Sequence, residues 1–152
     1  MNKNNDLNSQ LPAICEALES GKKVEFETHG FSMIPLLHDG GDKVILELNS
    51  DSLKVNDIAL CKTDKGKYVL HRVIEITDNG YILKGDNSVD TELCLSDNDV
   101  VGVVCSIICR NKIISVTDKQ YLFYVRNREV LLKLWRLFWR FTDFFVKLVR
   151  KK

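Results

Sequence analysis

The chain has 152 residues, 45% of them hydrophobic and 28% charged, a composition that excludes a disordered chain and suits one domain with a real core. Its net charge of +1 conceals an asymmetry: from Arg126 onward nine Lys/Arg face only Glu129 and Asp143, while the remainder carries 13 basic against 19 acidic residues. A mildly acidic body with a basic tail points to an anionic partner for the tail, either a lipid surface or the body itself.

The N-terminal stretch MNKNNDLNSQ is polar and lacks an apolar core segment, so no secretory signal is expected. Leu11, Ile14, Cys15 and Leu18 recur at helical spacing and Gly21 follows as a stop, which predicts a short helix at about 9–20. Beyond it lie β-type runs at 23–28, 43–48, 57–63, 67–76, 80–85, 100–110 and 112–116. Asp64-Lys65-Gly66 and Asp78-Asn79-Gly80 supply hairpin chemistry between them. Short strands with little helix between them predict a mostly β fold, a coiled antiparallel sheet or partial barrel.

The five cysteines form no CxxC pair and leave one over, so they read as small buried apolar residues in a reducing, cytoplasmic compartment. The longest apolar stretch, 100–109, has about half the length needed to cross a bilayer. No transmembrane span is expected.

From about Lys119 to Arg150 neither Gly nor Pro interrupts the chain, which permits a long helix. Lys133, Arg136, Arg140, Asp143, Lys147 and Arg150 fall 3 or 4 apart and form one narrow polar stripe. Leucine, tryptophan and phenylalanine fill the rest, far beyond the roughly 100° that a surface helix needs. The expected organisation is a β domain over 1–118 and a basic amphipathic helical tail over 119–152. The tail has three open fates: a membrane interface with the protein peripheral to the bilayer, pairing as a homodimer, or packing on its own domain.

Three places carry chemistry. In HGFSMIPLLHDGGD (29–42), Ser32 sits among Phe31, Met33, Ile34, Leu36 and Leu37, either a nucleophile on an apolar platform or a polar residue in a greasy loop. His71 lies in the strand KYVLHRVIEI, where period-2 alternation groups it with Val69 and Val73 and puts Leu70, Arg72 and Ile74 on the other face. A lone strand histidine is commonly a satisfied structural residue, yet its neutral form is also what a general base requires. In LKGDNSVDTE (83–92), Gly85, Asp86 and Asn87 suit a plain turn. Asp86 and Asp90 gain interest only if the fold brings them to His71.

In order, GFSMIPLLHDGGDKVIL, LKVNDIALCK, KYVLHRVIEI, ILKGDNSVDTELC and VVGVV resemble the type I signal peptidases and their LexA-like relatives over about residues 24–105. Each motif is weak alone; five in order are fairly specific. The resemblance implies a serine peptidase with Ser32 as nucleophile and His71, rather than the commoner lysine, as general base. That choice matches the archaeal and endoplasmic-reticulum branch. It makes Asp86 the partner of His71, with Asp90 the less secure match to a second acidic residue. The position that supplies an oxyanion hydroxyl in the family is Gly30 here, so the hole relies on the Ser32 backbone N–H. Met33, Ile34 and Leu36, with Leu37, would floor a groove for an extended peptide.

Two departures stand out. Asn56 replaces the glycine before Asp57, and the anchor helix typical of signal peptidases has no counterpart before the core. The implied partner is a peptide or precursor protein; neither cofactor, metal nor nucleic acid is called for. The rival readings are a catalytically inactive peptide- or membrane-binding module and a LexA-like self-cleaving regulator. The regulator is disfavoured because no Ala-Gly or Cys-Gly bond occurs.

Overall fold

An eight-stranded antiparallel sheet occupies residues 24–115 of the computed structural model, which describes residues 4–149 and the side chains of Leu7, residues 9–140 and Thr142. The strands are β1 (Val24–Glu27), β2 (Lys43–Glu47), β3 (Ile58–Lys62), β4 (Tyr68–Thr77), β5 (Gly80–Lys84), β6 (Thr91–Cys94), β7 (Val100–Cys109) and β8 (Lys112–Ser115). Helix α1 (Asn4–Glu19) precedes the sheet and helix α2 (Lys119–Val149) follows it. Strand order is β1-β2-β7-β3-β4-β5-β6 with β8 paired to β7, so the sheet is open. The mostly β architecture and the two helices agree with expectation. One strand, β6, departs from expectation: it lies in a short acidic segment that reads as turn, and its pairing with β5 makes it extended.

Alternation gives both faces of the sheet a core. In β3, Ile58 and Leu60 join α1 residues Leu11, Ile14 and Leu18 with Val44, Leu46, Val104 and Ile107. Ala59 and Cys61 point the other way and pack with Leu53, Val73, Tyr81, Leu83 and Cys94. Cys61 and Cys94 are buried free thiols, while Cys15, Cys105 and Cys109 are free and partly exposed. Between β7 and β8, Arg110 (φ 49°) and Asn111 (φ 62°) both adopt left-handed backbone, the requirement of a type I′ hairpin turn.

One charged group crosses the first core. Arg72 of β4 is 0% exposed. Its Nε and Nη2 donate to the two carboxylate oxygens of Asp86, each at 2.8 Å, and its Nη1 donates to Asn56 O and Tyr121 Oη. Tyr124 Oη donates to Asp86 at 2.9 Å, and Arg128 Nε lies 3.8 Å from the same carboxylate. Burial opposes the Arg72 charge, but the Asp86 hydrogen bonds and charge outweigh it and hold the guanidinium above its ordinary pKa. Burial first, then the Asp86 charge, pushes the Tyr124 hydroxyl upward, so it stays a donor.

The network clamps α2 onto the sheet. Tyr121 and Leu132 are buried on its inner side, whereas Phe123, Val130, Leu134, Leu137 and Phe138 are exposed. The expected continuation of the helix stripe through Asp143, Lys147 and Arg150, and the apolar side chains from Phe144 on, lie outside the described side chains. Removing one partner of a buried, bidentate pair leaves the other charge uncompensated. Asp86→Ala is therefore expected to lower unfolding stability by about 3–5 kcal/mol in urea titrations, while Asp90→Asn, at an exposed position, changes it by about 0.5 kcal/mol or less. Equal effects at the two sites would contradict the clamp.

Candidate active site

Ser32 sits in a loop closed at its base by its own backbone. Thr28 N and Oγ1 both donate to Asp42 O, at 3.1 and 2.8 Å, and Gly40 N donates to Thr28 O. Inside the loop, the Asp42 carboxylate accepts His38 N and pairs with His38 Nδ1, and Asp39 accepts Gly30 N at 2.9 Å and lies near His29. Both histidines thus serve the loop's own carboxylates. Met33 and Leu37 anchor the loop in the core, and the Ile34–Pro35 peptide is cis. Ser32 itself is half-buried, and among the described residues neither its Oγ nor its backbone N–H has a hydrogen-bond partner.

The K-G-D-N segment holds Ser32 from the other side. Asn87 N donates to Ser32 O at 2.7 Å and Asn87 Nδ2 donates to Phe31 O at 3.3 Å. Gly85 closes the contact: a Cβ there would come within 2.7 Å of Ser32 O and 2.8 Å of Ser32 Cβ. Glycine is needed here for close approach, since the space a side chain would fill belongs to Ser32.

Sheet parity decides which carboxylate meets His71. Directly paired residues share a face, so Val73, Leu83 and Glu92 form a row across β4, β5 and β6. His71 is two residues from Val73 on that face, and its Nδ1 lies 2.5 Å from Glu92 Oε2. His71 is 7% exposed. A carboxylate can only accept, so Nδ1–H donates to Glu92 and the lone pair is left on Nε2, the tautomer a general base uses. The alternation of β5, continued past Lys84, puts Gly85 on the His71 face and Asp86 on the opposite one.

Asp86 therefore does not orient His71. Its carboxylate is bound to Arg72, one residue along β4 and facing the other core. Asp90 is exposed. The carboxylate on His71 is Glu92, which sequence reasoning missed together with β6. The available signal was four-residue alternation that put Glu92 and Cys94 on one face. Gly30 contributes no oxyanion donor either, because it has no hydroxyl and its N–H is committed to Asp39.

A cleft of about 530 Å³ opens beside Ser32, lined by Phe26, Thr28, Gly30, Met33, Leu37 and Tyr68–Leu70 among others. Of the expected floor, Met33 and Leu37 line it. Ile34 does not, and Leu36 faces a different cleft beneath α2 with Tyr121 and Trp135, because one turn of the loop directs successive side chains to different sides. Two strand edges border the opening. Among the described residues, β1 pairs only with β2, and Tyr68–Leu70 pair only with β3.

No protein-family model matches the chain, and no curated protein matches it significantly. The close approach at Gly85 carries its own prediction. Gly85→Ala forces the two loops apart and costs about 1–3 kcal/mol of stability, whereas Gly41→Ala, with nothing within 4 Å of the added methyl, stays within about 1 kcal/mol. Urea midpoints of the two variants check this.

Proposed function

We propose that the protein is a serine peptidase that cleaves an extended peptide through Ser32, His71 and Glu92. One observation carries the reading: a half-buried serine with an unbonded hydroxyl and N–H packs against Gly85, the residue that continuation of the β4–β5 register sets beside His71, whose Nδ1 is held by Glu92. The ordered motifs that resemble signal peptidases support the same roles for Ser32 and His71. The two unpaired strand edges beside the cleft suit a peptide that adds backbone hydrogen bonds on both sides.

In this reading His71 Nε2 accepts the Ser32 hydroxyl proton as Oγ bonds to the scissile carbonyl carbon. The Ser32 N–H donates to the resulting oxyanion. Collapse of the tetrahedral species breaks the C–N bond, and the leaving amine takes the proton from His71. Water then attacks the Ser32 ester, giving its proton to Nε2, and the acid product leaves with Oγ reprotonated. Glu92 holds Nδ1–H throughout and stabilises the imidazolium.

Ser32→Ala and His71→Ala are expected to lower kcat/KM by about 10⁴-fold or more, and Glu92→Gln kcat by about 10³–10⁴-fold, with the urea midpoint of Ser32→Ala little changed. Asp90→Asn leaves kinetics intact. A serine-directed fluorophosphonate labels wild type and not Ser32→Ala. Cleavage that persists in Ser32→Ala, or absence of both cleavage and labelling in wild type, would assign the chain to a binding module instead.

The outer side of α2 supports a second element, attachment to an anionic lipid surface. No helix among the described residues is long and apolar enough to cross a membrane. Phe123, Val130, Leu134, Leu137 and Phe138 are nonetheless exposed along one stripe, flanked at helical spacing by Arg126, Lys133 and Arg140. Leu134→Ser with Phe138→Ser is expected to weaken flotation on phosphatidylglycerol vesicles about tenfold or more, and added salt weakens it further. Equal flotation on neutral phosphatidylcholine vesicles would remove the anionic-surface element.

A further inference from the structure

Behind the K-G-D-N segment lies a second cleft, of about 480 Å³, between that segment and α2. Gly85 contributes to its wall with one side while its other side abuts Ser32, so the cleft begins where the candidate nucleophile ends. Its charges are one-sided. Lys84, Arg128, Lys133 and Arg136 line it, against Glu129 and an Asp86 already neutralised by Arg72. Lys84, Lys133 and Arg136 enter no ion pair among the described residues, and Arg128 has only the 3.8 Å contact to Asp86. Arg128 Nη1 is buried with no hydrogen-bond partner. A buried guanidinium N–H without an acceptor is costly; Arg128 lines the cleft, so rotation of its guanidinium toward an arriving anionic oxygen would relieve it.

We propose that this cleft binds acidic side chains of the peptide substrate, on the flank of the scissile bond opposite the cleft at Met33. This rests on the peptidase reading for its substrate but not for its binding site. A peptide running from the edges of β1 and β4 past Ser32 meets Lys84 and Ser88 next, then the basic face of α2. Glutamate or aspartate there finds several unpaired cations at once. Each such exposed contact is weak alone, so selectivity comes from several acting together.

The test uses the full chain carrying Ser32→Ala and two fluorescein-labelled peptides, Ala-Ala-Ala-Glu-Glu-Glu and its Gln-Gln-Gln counterpart, read by anisotropy at low salt. The acidic peptide is expected to bind about tenfold tighter or better, with the preference falling as salt rises. Arg128→Gln is expected to reduce the preference to about threefold or less; should it destabilise the fold, Lys84→Gln with Arg136→Gln reports on the same cleft from its two sides. Equal binding of the two peptides overturns the proposal. So does displacement of the acidic peptide by phosphatidylglycerol vesicles that the Lys84→Gln/Arg136→Gln pair abolishes, which would give the cleft to lipid headgroups.

Wild type separates the two readings when given longer substrates that differ only by Glu or Gln on that flank. Cleavage of both at the same kcat/KM overturns the cleft assignment and leaves the peptidase standing. Discrimination by Ser32→Ala with no cleavage by wild type does the reverse.

Discussion

The buried Arg72–Asp86 pair is the constraint on which the rest of this structure depends. A guanidinium at 0% exposure is tolerable only with its donors paired. Asp86 takes two of them in a bidentate fork, and Asn56 O and Tyr121 Oη accept from the third nitrogen. The consequence is geometric. Asp86 must stand directly beside β4, so its neighbours Gly85 and Asn87 are delivered to fixed places. Asn87 N then meets Ser32 O, and Gly85 meets Ser32 Cβ. The same carboxylate accepts Tyr124 Oη, so α2 is clamped by the bonds that set the serine loop. A charge pair that takes no part in the proposed chemistry thus positions the groups that do.

Adjacent residues of β4 hold two separate electrostatic units because a strand alternates. Arg72 faces the core under α1 and α2, and His71 faces the smaller core with Val73 and Leu83. This parity was legible in KYVLHRVIEI, and it placed Leu70 and Arg72 apart from His71 correctly. The same alternation, continued through ILKGD, separates Asp86 from His71. The motif resemblance drew the two together, and the pairing of β5 with β4 keeps them apart. Glu92 was hidden for a different reason. A four-residue strand in an acidic, turn-rich segment has too little pattern to announce itself, and its extension comes from hydrogen bonding to β5. The long runs of β4 and β7 and the wide apolar circumference of α2 were readable because their periodicity persists over many residues.

Charge asymmetry along the chain takes on physical meaning once α2 is docked. Its inner side spends Tyr121, Tyr124 and Leu132 on the body. That leaves an apolar stripe facing outward and a basic side turned toward the K-G-D-N segment. The sequence shows that the helix is apolar over most of its circumference. Which sector is covered depends on where the Arg72–Asp86 pair captures the two tyrosines, and that is a property of the assembled sheet.

The absence of a hydrogen bond between Ser32 and His71 fits this mode of construction. Each partner is positioned independently: Ser32 by backbone contacts to Gly85 and Asn87, His71 by Glu92. Neither needs the other to stay in place, so the hydroxyl rotor and the Nε2 lone pair are both left for a third party. Bonds between nucleophile and base commonly tighten only when substrate fills the site. A peptide strand pairing with the β1 and β4 edges would press on the loop at Thr28–Gly30 on one side and on Tyr68–Leu70, just ahead of His71, on the other. The same strand would therefore bear on both halves of the proposed dyad. Gly85 has no side chain, so Ser32 packs directly against the strand that continues the β5 pairing beside His71.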